Sequence, residues 1–465
     1  MKQSFKDKYF GPSSFYKEVI AIGLPIMIQM LIQNLVSLID NFMVAGLGDV
    51  KMSGVNISGQ LLFVLMVFIN TICTSGGIFM SQYFGAGDKE GMKQSLKFKL
   101  LLGVFGFILY VLVCFVFPEK CLRLMVVNNS DAEEILTYAL QYIHIMGYVG
   151  IPMALATILS SSLREIGKVK PPLIIAISAT LLNTFLDWVL IYGKFGLPAL
   201  EVEGAAIATV IAMSVQAIAF IIYISITKPP FLIPLKELFK VNWQLFFNIF
   251  KKSIMVLSSE MLWVVSETIT TALYNSRGGA DVVSGMAASF AIANLFFVAF
   301  GGITTATGVI LGKTLGQGDL AGAKQKKNWL MMSANIFGVF MCLFGLLTML
   351  LIPVVFSNLS SAAQLLCRKM VFGLSMLMPA WVYINTQFAV SRAGGDTMMG
   401  MIVDGATTLL FIIPGMFLMT FLTPIGPVGM YMIIKMIDFP KIFVANIWLK
   451  KEKWLKNLTN TVIPD

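Results

Sequence analysis

The chain predicts an all-α polytopic membrane protein of twelve transmembrane helices in two pseudo-symmetric six-helix bundles. Three observations carry that prediction. The chain is 57% hydrophobic and only 12% charged, where soluble domains carry about 25% charged residues, and its mean hydropathy is +0.82. Its apolar residues gather in runs of about 20 or more, each able to cross a hydrocarbon core of about 30 Å as helix. A polar motif also recurs. Residues 81–93, SQYFGAGDKEGMK, are echoed by 312–324, GKTLGQGDLAGAK, so that Gly85, Gly87, Asp88, Gly91 and Lys93 match Gly316, Gly318, Asp319, Gly322 and Lys324 at one offset of 231 residues. A second echo pairs Arg164 and Gly167 with Arg392 and Gly395 at an offset of 228. A duplicated membrane bundle points to transport, because two similar halves can rock about a site held between them.

The first six runs are 18–43, 53–79, 98–117, 134–161, 171–192 and 203–226, and the second six are 252–275, 283–311, 329–355, 366–390, 398–421 and 427–448. Backbone polar groups in lipid must bond internally, and the alternation of short barrel strands is absent, so these are helices. The expected organisation is an N-terminal six-helix lobe at 1–226, a cytoplasmic linker at 227–250, a C-terminal lobe at 251–448 and a basic cytoplasmic tail at 449–465. Pro229, Pro230 and Pro234 stop the sixth helix. After them LKELFKVNWQLFFNIF has apolar residues at helical spacing with lysines between, which predicts a short helix lying on the membrane surface.

Orientation follows the lysines. Lys2, Lys6, Lys8 and Lys17 precede the first run, Lys89, Lys93, Lys97 and Lys99 follow the second, and Lys450, Lys451, Lys453 and Lys456 follow the last. The positive-inside rule therefore places both termini in the cytoplasm, in a multi-pass protein of the plasma (inner) membrane. The net charge of +10 reflects this topology and attraction to anionic lipid, not nucleic-acid binding. The polar N-terminal segment is too long to be a cleavable signal. Five isolated cysteines without a CxxC pair predict no disulfide, no metal site and no cofactor. The partners expected are the lipid bilayer and small molecules, with the chain acting as a monomer.

Chemistry then rests on ionisable groups inside the apolar runs, each costing about 3 kcal/mol or more unless paired or hydrated. Asp40 lies in the first run and Asp187 in the fifth, where Asn183 precedes it by four residues and shares its helical face. Thr209 adds a hydroxyl among small residues of the sixth run. Two carboxylates, an amide and a hydroxyl form a cation cradle if they meet; otherwise each carboxylate is neutralised separately. In the second half Glu260 and Glu267, two turns apart, face the same way, and Asp404 and Asp438 are also embedded. Met376, Trp381 and Tyr383 in the tenth run suit a pliable cavity wall for flat or cationic compounds, with Glu260 as its counter-charge. The glycines of the repeated motif read as a tight turn, with Asp88 and Asp319 as helix caps, and not as a phosphate loop. GVILGKT at 308–314 has three residues between its glycines, where a P-loop needs four.

The segments IDNFMVAGLGD, SQYFGAGD, GKTLGQGD and SRAGGDT, and above all LLNTFLDWVLIYGKFGLPALEVEGAAIATV at 181–210, resemble the multidrug and toxic compound extrusion (MATE) transporters along essentially the whole chain. The resemblance implies two six-helix bundles around a central cavity that opens alternately to each side. It further implies H⁺ or Na⁺ binding at Asp40, Asn183, Asp187 and Thr209, and antiport of amphiphilic, often cationic compounds. A flippase for lipid-linked sugars or precursors is the alternative with similar architecture. It calls for cavity cations to hold a diphosphate, whereas the embedded groups singled out here are acidic. A membrane-embedded transferase is not supported, because the chain has one histidine and no nucleophile motif.

Overall fold

The apolar runs all become helices, and most extend past the apolar stretch that predicts them. A computed structural model describes residues 5–123, 125, 132–357 and 359–459. Among these, the first half holds α1 (Ser13–Ala45), α2 (Asp49–Ala86), α3 (Lys89–Val116), α4 (Ala132–Glu165), α5 (Lys170–Tyr192) and α6 (Glu201–Thr227). The second half holds α7 (Trp243–Asn275), α8 (Ala280–Gly316), α9 (Leu320–Val355), α10 (Ser361–Ala393) and α11 (Gly400–Leu422). The twelfth span is α12 (Pro427–Lys435) followed, after a break at 436–437, by α13 (Asp438–Lys450). Ten of these spans are long and apolar enough to cross a membrane by composition alone. The other two differ in kind: α7 carries Glu260 and Glu267 inside its apolar run, and the twelfth span is broken into helices of 9 and 13 residues.

The repeated motif explains where α2 and α8 stop. Gly87 and Gly318 adopt φ of +73° and +77°, a left-handed turn that glycine reaches without strain. Asp88 then caps α3 by accepting the Gly91 N–H at 3.0 Å, and Asp319 caps α9 by accepting the Gly322 N–H at 2.8 Å. Gly85 and Gly316 serve a different end. A Cβ on Gly85 would stand 2.1 Å from the Lys313 carbonyl oxygen, and one on Gly316 would stand 1.9 Å from that of Gln82. Each glycine therefore lets its helix rest on the other's backbone, and the two contacts are related by the same 231-residue offset.

The chain divides into two compact units, one of Met1–Met27, Ser81–Gly87 and Phe250–Asp465, the other of Ile28–Met80 and Asp88–Ile249. The start of α1 and the end of α2 belong with the second-half helices for a packing reason. Phe15 stacks edge-on against Trp329 at 5.1 Å, Gly23 and Gly302 allow α1 onto α8, and Gly85 and Gly316 allow α2 onto α8. In this unit α10 is central, packing on α8, α9 and α13, around a core that includes Phe296, Leu374, Met378 and Met416. In the other unit α6 packs on α5 and α4, and α4 on α3. Large apolar side chains such as Phe42 (75% exposed) stay on the surface of this unit.

The linker departs from expectation. No separate surface helix forms between α6 and α7; a single 3₁₀ turn spans Leu235–Glu237, and Trp243 onward is already α7. Asn242 decides this, because its side chain caps α7 by accepting the Leu245 N–H at 3.0 Å while its own N–H binds Gln94 at 2.9 Å. Lys97 donates to the Lys240 carbonyl at 2.7 Å, and Lys93 pairs with Glu237 at 2.9 Å. That hydrogen bond from Lys93 holds the Glu237 carboxyl below its ordinary pKa. The tail also departs: residues 451–459 turn back onto the unit, and only 460–465 lie outside the described residues.

Candidate functional site: two embedded carboxyls on α1 and α5

Helix spacing brings the first-half residues together. Asp40 on α1 and Asp187 on α5 have their carboxyl groups within hydrogen-bonding reach of one another. Asp187 is 3% exposed. Two carboxylates this close cannot both be ionised without a proton or a cation between them. Thr184 Oγ1 donates to Asp40 Oδ1 at 3.2 Å. Asn183 Nδ2 and Asp187 Oδ1, both buried, have no partner among the described protein groups. A donor set of carboxyl oxygens with a neighbouring amide and hydroxyl is the hard-oxygen environment that a proton or a small monovalent cation takes.

One helical turn further along, the same faces become apolar. Val44 follows Asp40 by four residues and Ile191 follows Asp187 by four, and with Ala205 they form a buried cluster joined by Met43, Leu47 and Tyr142. This cluster lies one turn from the carboxyl pair on both helices. Thr209 Oγ1 donates to the Ala205 carbonyl of its own helix at 3.0 Å, which leaves its lone pairs free to accept. Thr184, absent from the sequence reading, is the hydroxyl that bonds Asp40. Its signal is present in the chain, since it adjoins Asn183 and lies three residues before Asp187, but only the α1–α5 packing shows that it faces Asp40.

The second-half acids are neutralised within their own unit. Arg392 donates to Glu260 at 2.9 Å, Lys435 pairs with Glu267, and Lys441 bridges Asp404 at 2.9 Å and Asp438 at 3.1 Å. Glu260, read from the sequence as the counter-charge of the cavity, thus stands beside Arg392 of α10. The residues read as a cavity wall each have their own neighbours. Trp381 Nε1–H donates to Asp438 at 2.8 Å, Tyr383 OH bonds Asn446 at 3.3 Å, and Met376 is 52% exposed beside Cys342. The sequence reading missed Lys435 and Lys441, although both sit inside the run at 427–448. His144 is exposed and stacks on Phe115 at 6.2 Å.

A further pair in the first half is buried by design of its neighbours. Lys99, fully buried, pairs with Glu165 and reaches Ser162 Oγ at 3.2 Å. Gly76 and Gly77 of α2 make the notch, since a Cβ on either would stand 2.8 Å from the Lys99 chain or 2.3 Å from Glu165 Oε1.

The Lys441 bridge yields a stability prediction. Lys441→Met should cost about 3–5 kcal/mol, because it leaves Asp404 and Asp438 facing each other unpaired. Adding Asp404→Asn should restore much of the loss. Thermal unfolding in detergent measures both, and a Lys441→Met protein as stable as the parent would remove the bridge from the core.

Comparison with known proteins agrees with this architecture. The MatE family model matches residues 25–189, the stretch that carries Asp40, Asn183 and Asp187. The chain is 25% identical over 314 residues to the "Probable multidrug resistance protein NorM" of Thermotoga maritima, spanning 65% of this chain and 64% of that protein. It is 24% identical over 330 residues to the protein of the same name from Agrobacterium fabrum, spanning 70% and 68%. The fold is that of a Vibrio cholerae MATE transporter, VcmN, with a TM-score of 0.83 at 18% identity, covering 95% of this chain and 99% of that one. Duplicated loops, paired carboxyls on α1 and α5, the matched family model and these relatives converge on one resemblance: the chain is similar to the MATE transporters, in its N-terminal half by family model and along its length by fold.

Proposed function

We propose that the chain is a secondary active multidrug efflux transporter of the plasma membrane, with both termini cytoplasmic, which exchanges H⁺ or Na⁺ for amphiphilic, often cationic compounds by alternating access. The observation that carries the reading is the Asp40–Asp187 carboxyl pair, with Asn183 Nδ2 and Asp187 Oδ1 unpartnered beside it. A proton or a sodium ion bound there removes the repulsion between the carboxylates. Its release leaves a charged pair that favours a different packing of α1 against α5, and this difference in ion affinity is what lets a gradient drive a conformational cycle. The multidrug resistance names of the two NorM relatives support the substrate class.

The flippase reading needs free cations for a diphosphate. Arg392, Lys435 and Lys441 are each occupied by a carboxylate, which favours the efflux reading. Reconstitution into liposomes with an imposed H⁺ or Na⁺ gradient tests it. Gradient-dependent movement of ethidium is the expected result, and whichever gradient drives it is the coupling ion. Movement of a lipid-linked sugar with no movement of any amphiphilic cation would replace this reading with the flippase.

A further inference from the structure

The residues after α13 hold together the ends of both sequence repeats. Trp454 is 1% exposed, and its carbonyl oxygen lies where a Cβ on Gly394 would come within 1.4 Å, so only glycine permits the approach. Leu458 packs on Gly395 and is buried. Gln82, fully buried in the first motif, links the tail to α10. Its Nε2 donates to the carbonyls of Ala393 at 2.8 Å and Lys456 at 3.3 Å, and its Oε1 accepts the Leu458 N–H at 2.7 Å. Asn457 Nδ2 donates to the Gly316 carbonyl at 3.3 Å, and Glu452 pairs with Lys324 at the start of α9. Lys453 and Lys456 meanwhile stay exposed. The stretch 452–459 therefore touches the ends of α2, α8 and α10 and the start of α9 at once.

The crossing it covers is held differently. Gly85 rests on the Lys313 carbonyl and Gly316 on that of Gln82, so the contact is backbone against backbone and includes no ion pair. These two glycine approaches themselves contribute dispersion and weak C–H···O attraction. Gln82 fastens α2 to α10 directly, and the tail adds further polar contacts at this end. Gln82 has two of its three hydrogen bonds to the tail's main chain, so when the tail leaves they are lost together.

We propose that residues 452–459 are a clasp that holds the α2–α8 glycine crossing closed, and that their release accompanies opening of the transporter on this side. The transport half of the proposal rests on the alternating-access reading above; the clasp itself does not.

Hydrogen–deuterium exchange of the full-length protein, read by mass spectrometry, tests the clasp without any transport assay. Trp454→Ala should raise exchange about fivefold or more in 81–87 and 312–319 together, while α5 and α6 stay unchanged. Gln82→Ala leaves the tail sequence intact and should produce the same change, and it should also free 452–459. Leu458→Ala, a smaller truncation, serves if Trp454→Ala does not fold. Release should also lower the apparent KM for substrate offered from this side about threefold or more, by raising the population open there. Unchanged exchange at both motif segments in these variants would overturn the clasp. Faster exchange with an unchanged KM would reduce the tail to packing and overturn its role in opening. A parent protein with no gradient-driven flux would defeat the efflux reading alone, since exchange would still decide the clasp.

Discussion

Asp187→Asn and Asp40→Asn are each expected to insert and fold normally and to lose gradient-driven efflux by about tenfold or more. The carboxyl groups of the two residues already stand within hydrogen-bonding reach of one another. An amide on one side supplies the donor that a shared proton supplies in the parent, so the fold keeps its contact. What the amide cannot do is exchange a proton or balance the charge of a bound cation, so the site no longer distinguishes the two sides of the membrane. Thr184→Ala should act more weakly. It removes one hydrogen bond to Asp40, worth about 1 kcal/mol or a fivefold change in ion affinity. Flux in proteoliposomes, with thermal unfolding as the folding control, checks all three. Undiminished gradient-driven flux in both carboxyl variants would remove the pair from coupling.

The second large effect is on stability. Gly316→Ala and Gly85→Ala each force a methyl group to within 1.9 or 2.1 Å of a backbone carbonyl on the facing helix, so α2 and α8 must move apart. The expected cost is about 2–4 kcal/mol. Gly87→Ala and Gly318→Ala meet nothing within 4 Å. They should cost only about 1 kcal/mol, for a positive φ without glycine. Unfolding midpoints of the four variants separate the two kinds of glycine, and equal losses at all four positions would contradict the assignment. Gly85 and Gly316 also lie inside α-helices, where the N–H groups belong to the helical ladder and are not offered to a phosphate.

Several features are legible in the amino-acid sequence alone. The helix count follows from run length, because a segment that must bond its own backbone in lipid has few alternatives to helix. The turn at Gly87–Asp88 and its copy at Gly318–Asp319 are legible because turn and cap chemistry is local. The shared face of Asn183 and Asp187 is legible because four residues make about one turn. Less legible are the helix ends. The apolar run at 53–79 stops seven residues before α2 does, since polar residues continue a helix until a left-handed glycine ends it. The linker departs from its expected form for a related reason: LKELFKVNWQLFFNIF has helical periodicity throughout, and only the two bonds of Asn242 show where the helix begins.

The sequence by itself determined the class, the number of spans, the duplication and the two carboxyl-bearing helices, all of which rest on composition, length and neighbours within one or two turns. Tertiary structure alone decided which charges stand paired. Glu260, Glu267, Asp404 and Asp438 read as a set of embedded acids along the chain, yet the cations that meet Glu260, Glu267 and Asp404 lie 132, 168 and 37 residues away in sequence. Only the α1–α5 approach made Thr184 and not Thr209 the partner of Asp40. The physical reason is that the cost of a charge in an apolar medium depends on the group opposite it, and what stands opposite is set by how distant helices pack, which no local pattern records.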